Sequence, residues 1–172
     1  MNIFRRNLTL SVNKYDAIAL VASGLDASIS DAEITLSGYK TYRVDRDLKR
    51  TTKERGGGVI VYIRERIWCQ SIVSSSSGLE FVVLQLKYAH VSIILICTYL
   101  PPFTGVTSFS ALEQMQNFAD VSNQIYVDFP QSKFVIVGDF NIPGIYWYNT
   151  DFGVSQNGKS TCRIVNDVAE LL

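Results

Sequence analysis

The chain has no excess charge of either sign, because sixteen Lys and Arg stand against sixteen Asp and Glu. The long-range field that draws nucleic-acid binders onto a phosphate backbone is therefore missing from the net charge, and any such contact must use a local patch. Histidine is almost absent: His90 is alone, and between two strand-like runs it reads as a surface residue. The three cysteines, Cys69, Cys97 and Cys162, are odd in number, widely separated and without Cys-x-x-Cys or Cys/His spacing. Zinc and a disulfide framework are therefore not indicated. Cys97, inside the apolar run Val91–Tyr99, reads as a small buried hydrophobe in a reduced, intracellular protein. Asn2 to Asn13 lacks the apolar segment of a signal peptide, and no run approaches the about 18 apolar residues of a membrane helix. The chain reads as soluble, with no membrane partner.

What is present is the composition of a folded protein: 47% apolar and 19% charged residues over 172 positions, enough for a single domain spanning 1–172. Tyr15–Leu20 and Gly57–Ile63 read as strands, the second entered through Gly56, Gly57 and Gly58. No Walker pattern follows those glycines, so they read as a turn and not as a phosphate cradle. Ser74–Gly78 reads as a loop. Glu80–Leu86 and Val91–Tyr99 read as an antiparallel hairpin joined across Lys87–His90.

From Ser110 to Asp128 the period changes. Ser110 and Glu113 have capping-box spacing, and Leu112, Met115, Phe118, Ala119, Ser122, Ile125 and Tyr126 fall on one helical face. Phe134–Val137 then reads as a strand buried on both faces, and Lys159–Leu172 as a helix. Trp68, Phe81, Phe103 and Phe118 read as core or core-edge packing. Strands in hairpins, interleaved with helices, predict a layered α/β fold with a mixed sheet, best arranged as a two-sheet sandwich.

Chemistry concentrates at Gly138-Asp139-Phe140-Asn141-Ile142-Pro143, where a carboxylate and an amide two residues apart lie at a strand mouth. Phosphodiester hydrolysis needs a cation, a base for water and donors to the phosphate. Asp139 and Asn141 suit the last two tasks, although an Asp-x-Asn pair also closes strands as an Asx turn. The segment Arg43–Arg55, with Arg46, Lys49, Arg50, Lys53 and Arg55, is either a solvated loop or a local phosphate-binding patch.

The context of that element, Phe134-Val-Ile-Val-Gly138 before it, Trp147 after it and Thr98-Tyr99-Leu100-Pro101-Pro102 upstream, resembles the endonuclease/exonuclease/phosphatase superfamily. It is most similar to the endonuclease domains of non-LTR, LINE-type retrotransposons, which carry GDFN-x-P-x-x-x-W after Y-x-P-P. The resemblance extends over Tyr15–Leu20, Leu25-Asp26, Gly38-Tyr39, Asp45-Arg46, Gly56–Val59 and Glu80. It implies a four-layer α/β sandwich like that of pancreatic deoxyribonuclease, and Mg²⁺- or Mn²⁺-dependent hydrolysis of a DNA phosphodiester. In a parent element that nick would prime a fused reverse transcriptase, which would place the protein in the nucleus on chromosomal DNA. It assigns Asp139 to the attacking water and Asn141 and Tyr99 to the scissile phosphate; by charge, Arg46 and its basic neighbours are the candidate DNA contacts, and Trp147 reads as support for the Asp139 loop.

Three departures from the family pattern qualify the chemistry. The position of the metal-binding Glu is Ala22, with Asp16, Asp26 and Glu80 as candidate substitutes. Only fourteen residues precede Tyr15, where the family has a strand ending in Asn and then a helix, so Asn7 and Asn13 are not assignable. The late Ser-Asp-His element has no counterpart, which implies a domain incomplete at its C-terminus and degenerate or inactive as a nuclease. A noncatalytic nucleic-acid- or protein-binding module, with Tyr39 and Tyr42 beside the basic segment, is the alternative. A phosphatase of the same superfamily is the third reading.

Overall fold

The computed structural model describes residues 15–46, 56–73, 80–100 and 111–141, and the backbone of 146–147 and 154–155. The β-branched run Val59–Arg64 is the strand β3, at the centre of a three-stranded sheet between β1 (Ala17–Val21) and β2 (Tyr39–Val44), antiparallel to both. Between β1 and β2 lies a single helical turn, α1 (Asp31–Ile34). At its start, the Ser30 backbone N–H and hydroxyl both donate to the Glu33 carboxylate at 2.9 Å.

The second sheet runs β4-β5-β6-β7, with β4 at Trp68–Val73, β5 at Glu80–Tyr88, β6 at Val91–Tyr99 and β7 at Lys133–Asp139. The first three pair antiparallel. β7 is parallel to β6 because the 18-residue helix α2 (Ala111–Asp128) carries the chain back between them. A short antiparallel pair, β8 (Tyr146–Trp147) and β9 (Val154–Ser155), follows.

Period-two alternation sets the layers. Val59, Val61 and Ile63 of β3 face Val82, Leu84 and Leu86 of β5 and Leu95, Cys97 and Tyr99 of β6 across the space between the sheets. The opposite face of β3, Ile60 and Tyr62, is covered by Leu36, Tyr39 and Ile34 at the end of α1. The opposite face of the second sheet, Phe81, Val83, Ile94 and Ile96, is covered by Met115, Phe118 and Ile125 of α2. The order is therefore helical turn, sheet, sheet, helix. Full burial of each such Phe, Ile or Leu is worth about 1.5–3 kcal/mol, so both cores are strong enough to fix the register of the strands that carry the site.

The hairpin lies as the sequence predicts, although its connection narrows to Ala89 and His90; of the expected helical face Met115, Phe118, Ala119 and Ile125 are buried, whereas Tyr126 is 62% exposed. Other elements differ. β2 (YKTYRV) and β4 (WCQSIV) were not legible because each is an edge strand with polar interruptions. β7 is not buried on both faces: it closes the described part of its sheet, and Val135 and Ile136 are 42% and 39% exposed. Trp68 is likewise 44% exposed on the edge strand β4, with the Lys87 ammonium 4.5 Å from its ring centroid. Phe81 and Phe118 are core residues. Phe103, Ser110 and the expected helix Lys159–Leu172 lie outside the described residues.

Candidate functional site

The ends of six strands, β1, β2, β3, β5, β6 and β7, meet at one pole of the sandwich. Antiparallel pairing sets Glu80, the first residue of β5, opposite Tyr99, the last of β6, and parallel pairing sets Tyr99 beside Asp139, the last of β7. In-register residues share a face, and Val82, Tyr99 and Val137 all contribute to the inter-sheet core. Glu80, Tyr99 and Asp139 therefore form a row across the second sheet, at its end and on its inner face. From the first sheet, the turn after β1 (Ala22–Gly24) and the glycines before β3 arrive at the same pole, stitched together by Ser23 N–H to Gly58 O at 3.2 Å and Gly24 N–H to Gly57 O at 2.8 Å.

Beyond β7 the chain turns tightly. The Asn141 backbone N–H donates to Asp139 Oδ1 at 3.1 Å, and Asn141 itself is left-handed at φ 45°. The Asn141 side-chain amide donates to the Leu100 carbonyl at 3.0 Å, while the Leu100 N–H donates to the Asp139 carbonyl at 2.8 Å. Asp139, Asn141 and Leu100, the residue after Tyr99, thus form one hydrogen-bonded unit. Gly138 is required there, because a methyl at that position would lie 2.1 Å from the Thr98 carbonyl oxygen.

Among the described residues, the buried charged side chains form a clamp between the sheets. Glu80, 8% exposed, accepts from Arg46 Nε at 2.8 Å and from the Gly58 N–H. Gly56, Gly57 and Gly58 all have φ between 75° and 85°, a conformation that aims backbone N–H groups inward. The glycine run is a turn, as expected, and one of its N–H groups, that of Gly58, donates to the protein's own Glu80 carboxylate. A methyl on Gly57 would lie 2.3 Å from Arg46 Nε. The Arg46 guanidinium also lies over the Tyr99 ring, 5.5 Å from its centroid. Burial opposes its charge, but the Glu80 carboxylate, and after it Tyr99, hold the Arg46 pKa above its ordinary value.

Arg46 consequently differs from the sequence expectation of a DNA-facing cation: it is 8% exposed and directed into the protein. Arg43 is also engaged locally, with Ile29 O at 2.7 Å, Asp45 at 2.6 Å and Asp31 at 3.2 Å. The rest of the basic segment, 47–55, lies outside the described residues. So does Ile142-Pro143, and no side chain is described at Trp147.

The structure also tests whether a divalent cation fits. Among the described residues no three His, Cys, Asp or Glu side chains are grouped to hold a metal. Each candidate substitute for the carboxylate replaced by Ala22 is accounted for. Asp16 lies before the far end of β1 and pairs with Arg66. Asp26 is engaged with Ser28, whose side chain and then its N–H at 2.8 Å lower the Asp26 pKa. Glu80 is neutralised by Arg46. The described donors do not fit the Mg²⁺ or Mn²⁺ that the resemblance implies. His90 is exposed in the hairpin turn at the opposite pole.

No family model matches the chain, and no curated protein matches it in sequence. Solved structures do match its fold. The endonuclease domain of TRAS1, a telomere-specific non-LTR retrotransposon, aligns over 96% of this chain and 62% of its own at a TM-score of 0.55 and 9% identity. The chain has the endonuclease/exonuclease/phosphatase fold. D. rerio TDP2 complexed with a single-strand DNA product aligns over 81% of this chain and 52% of its own, at 0.52 and 12% identity. ANGEL2, a 2',3'-cyclic phosphatase in complex with adenosine-2',3'-vanadate, covers 82% of this chain and 44% of its own, at 0.52 and 17%. The chain thus spans about half the length of these structures. No helix among the described residues is long and apolar enough to cross a membrane.

Proposed function

We propose that this chain belongs to a DNA phosphodiesterase domain of the retrotransposon-endonuclease type, able to address a phosphate and degenerate as a catalyst. The observation that carries this is the in-register placement of Tyr99 beside Asp139, with Asn141 hydrogen-bonded to Asp139 and to Leu100, the residue after Tyr99. A phosphate at this strand end is offered the Tyr99 hydroxyl as donor, while the Asp139 carboxylate is the group able to orient water. Degeneracy follows from the donors: Ala22 supplies no ligand, and Glu80 is balanced by an internal arginine. The TRAS1 endonuclease and the DNA-bound TDP2 support DNA as the substrate class. A fused reverse transcriptase and a nuclear location belong to the same reading.

The test is binding of a fluorescent dithymidine phosphodiester, followed by anisotropy at low salt. The proposal expects measurable binding that Tyr99→Phe weakens about 10-fold, the loss of one hydrogen bond to a charged acceptor. No binding by the folded protein, or equal binding by Tyr99→Phe, contradicts it. Preference for a terminal or cyclic phosphate over the diester would transfer the reading to the phosphatases of the fold.

A further inference from the structure

We infer that Arg46 is a positioning residue for Tyr99, fixing the phenol so that its hydroxyl is presented to the bound phosphate. This rests on the assignment of Tyr99 as a phosphate donor, but it is tested separately.

Arg46 arrives from the end of the first sheet, two residues beyond β2, and Tyr99 from the second, so their contact joins the Arg46–Glu80 and Gly58–Glu80 hydrogen bonds in bridging the two layers. Tyr99 closes its strand at 8% exposure, and its phenol has two soft torsions that its neighbours must fix. The guanidinium over its ring, 5.5 Å from the centroid, limits the ring rotation. The guanidinium is itself immobile: Glu80 holds Nε at 2.8 Å, and the Gly57 backbone packs so close that no Cβ could be placed there. Glu80 is held in turn by the Gly58 N–H, and its carbonyl accepts from the Thr98 hydroxyl at 3.5 Å. The chain of contacts runs from the glycine turn through Glu80 and Arg46 to Tyr99.

Planarity is the property this geometry uses. A lysine at position 46 would keep a positive charge near Glu80 but could not present a flat cation to Glu80 and to the phenol at once. Charge and positioning are therefore separable by one substitution.

The experiment uses protein labelled with ¹³C at tyrosine Cζ, the Tyr99 resonance being identified by its loss in Tyr99→Phe. Arg46→Lys, shown folded by circular dichroism, is expected to move the Tyr99 resonance and to weaken dithymidine phosphodiester binding about 10-fold. The double variant Arg46→Lys/Tyr99→Phe is expected to bind no more weakly than Tyr99→Phe, since both changes remove one interaction. An unchanged Tyr99 resonance in folded Arg46→Lys, or additive losses in the double variant, overturns the inference. If Arg46→Lys does not fold, Arg46→Met/Glu80→Leu removes the clamp without leaving a buried charge. Wild-type affinity in that folded variant overturns the inference, and Tyr99→Phe-like affinity supports it. If the unaltered protein binds no phosphodiester, the functional reading fails, and the Tyr99 resonance alone still decides whether Arg46 fixes the ring.

Discussion

Removing Glu80 is the most informative perturbation of stability, because it exposes the weakness of a buried ion pair. The Arg46 and Glu80 side chains are 5% and 11% exposed. In Glu80→Ala the guanidinium keeps its charge, cannot reach water and loses the carboxylate at Nε, while the Gly58 N–H loses its acceptor. Breaking one side of a buried pair costs about 3–5 kcal/mol, against a total stability of about 5–15 kcal/mol for a small domain. With a urea m-value near 2 kcal/mol/M, the midpoint of unfolding by far-UV circular dichroism should fall by about 2 M at pH 7. Replacing both partners, as in Arg46→Met/Glu80→Leu, should restore the midpoint to within about 0.5 M of the original, because the desolvation cost of both charges disappears together. A Glu80→Ala midpoint within about 0.5 M of the unaltered protein would refute the reasoning, since it would mean that the guanidinium is solvated.

Gly138→Ala should destabilise by about 3 kcal/mol, because the new methyl must displace the Thr98 carbonyl from 2.1 Å; thermal unfolding will show it. Ala22 has φ 54°, so Ala22→Gly should stabilise by up to about 1 kcal/mol and raise the melting temperature by a few degrees. Alkaline stability has a defined sign: burial pushes the Cys97 thiol from 9.0 up to about 12, and burial, followed by the Cys69 contact, pushes Tyr42 from 10.0 to about 12. Folding keeps both groups neutral where the unfolded chain ionises. Their stabilisation is complete below about pH 9 and is lost as pH rises towards about 12, with a slope of about 1.4 kcal/mol per pH unit for each titrating group. Urea midpoints between pH 8 and 11 should fall, and Cys97→Val should flatten the part of the decline that begins near pH 9.

Much of the fold was legible because its central elements have strong, unmixed periods. The run Val59–Ile63, the site-side parts of the hairpin strands Glu80–Tyr88 and Val91–Tyr99, and Met115, Phe118 and Ile125 of the helix are buried as their patterns require, whereas Tyr88, Val91 and Tyr126 are exposed. The edge strands β2 and β4 were missed, since one apolar face broken by Lys40, Arg43, Gln70 and Ser71 gives little alternation to read. β7 was misjudged in burial for a related reason: an apolar strand reads as central whether or not a neighbour covers it. At the site, Asp139, Asn141 and Tyr99 were selected from their sequence context, and the strand registers bring them together. The Arg46–Glu80 clamp was not legible. Its members are 34 positions apart, and a glycine run gives no sign from sequence alone that it holds a side-chain carboxylate. The basic segment suggested Arg46 as an outward cation because charge counts carry no direction.

The central claim, a phosphate-addressing site that is degenerate as a catalyst, is tested most directly by nicking of supercoiled plasmid. The folded protein would be incubated with magnesium or manganese, against matched EDTA and Asp139→Ala controls. The account expects no conversion to open circle above the EDTA control with either metal. Metal-dependent nicking that Asp139→Ala abolishes would contradict it, and would mean that a cation is held without a carboxylate at position 22.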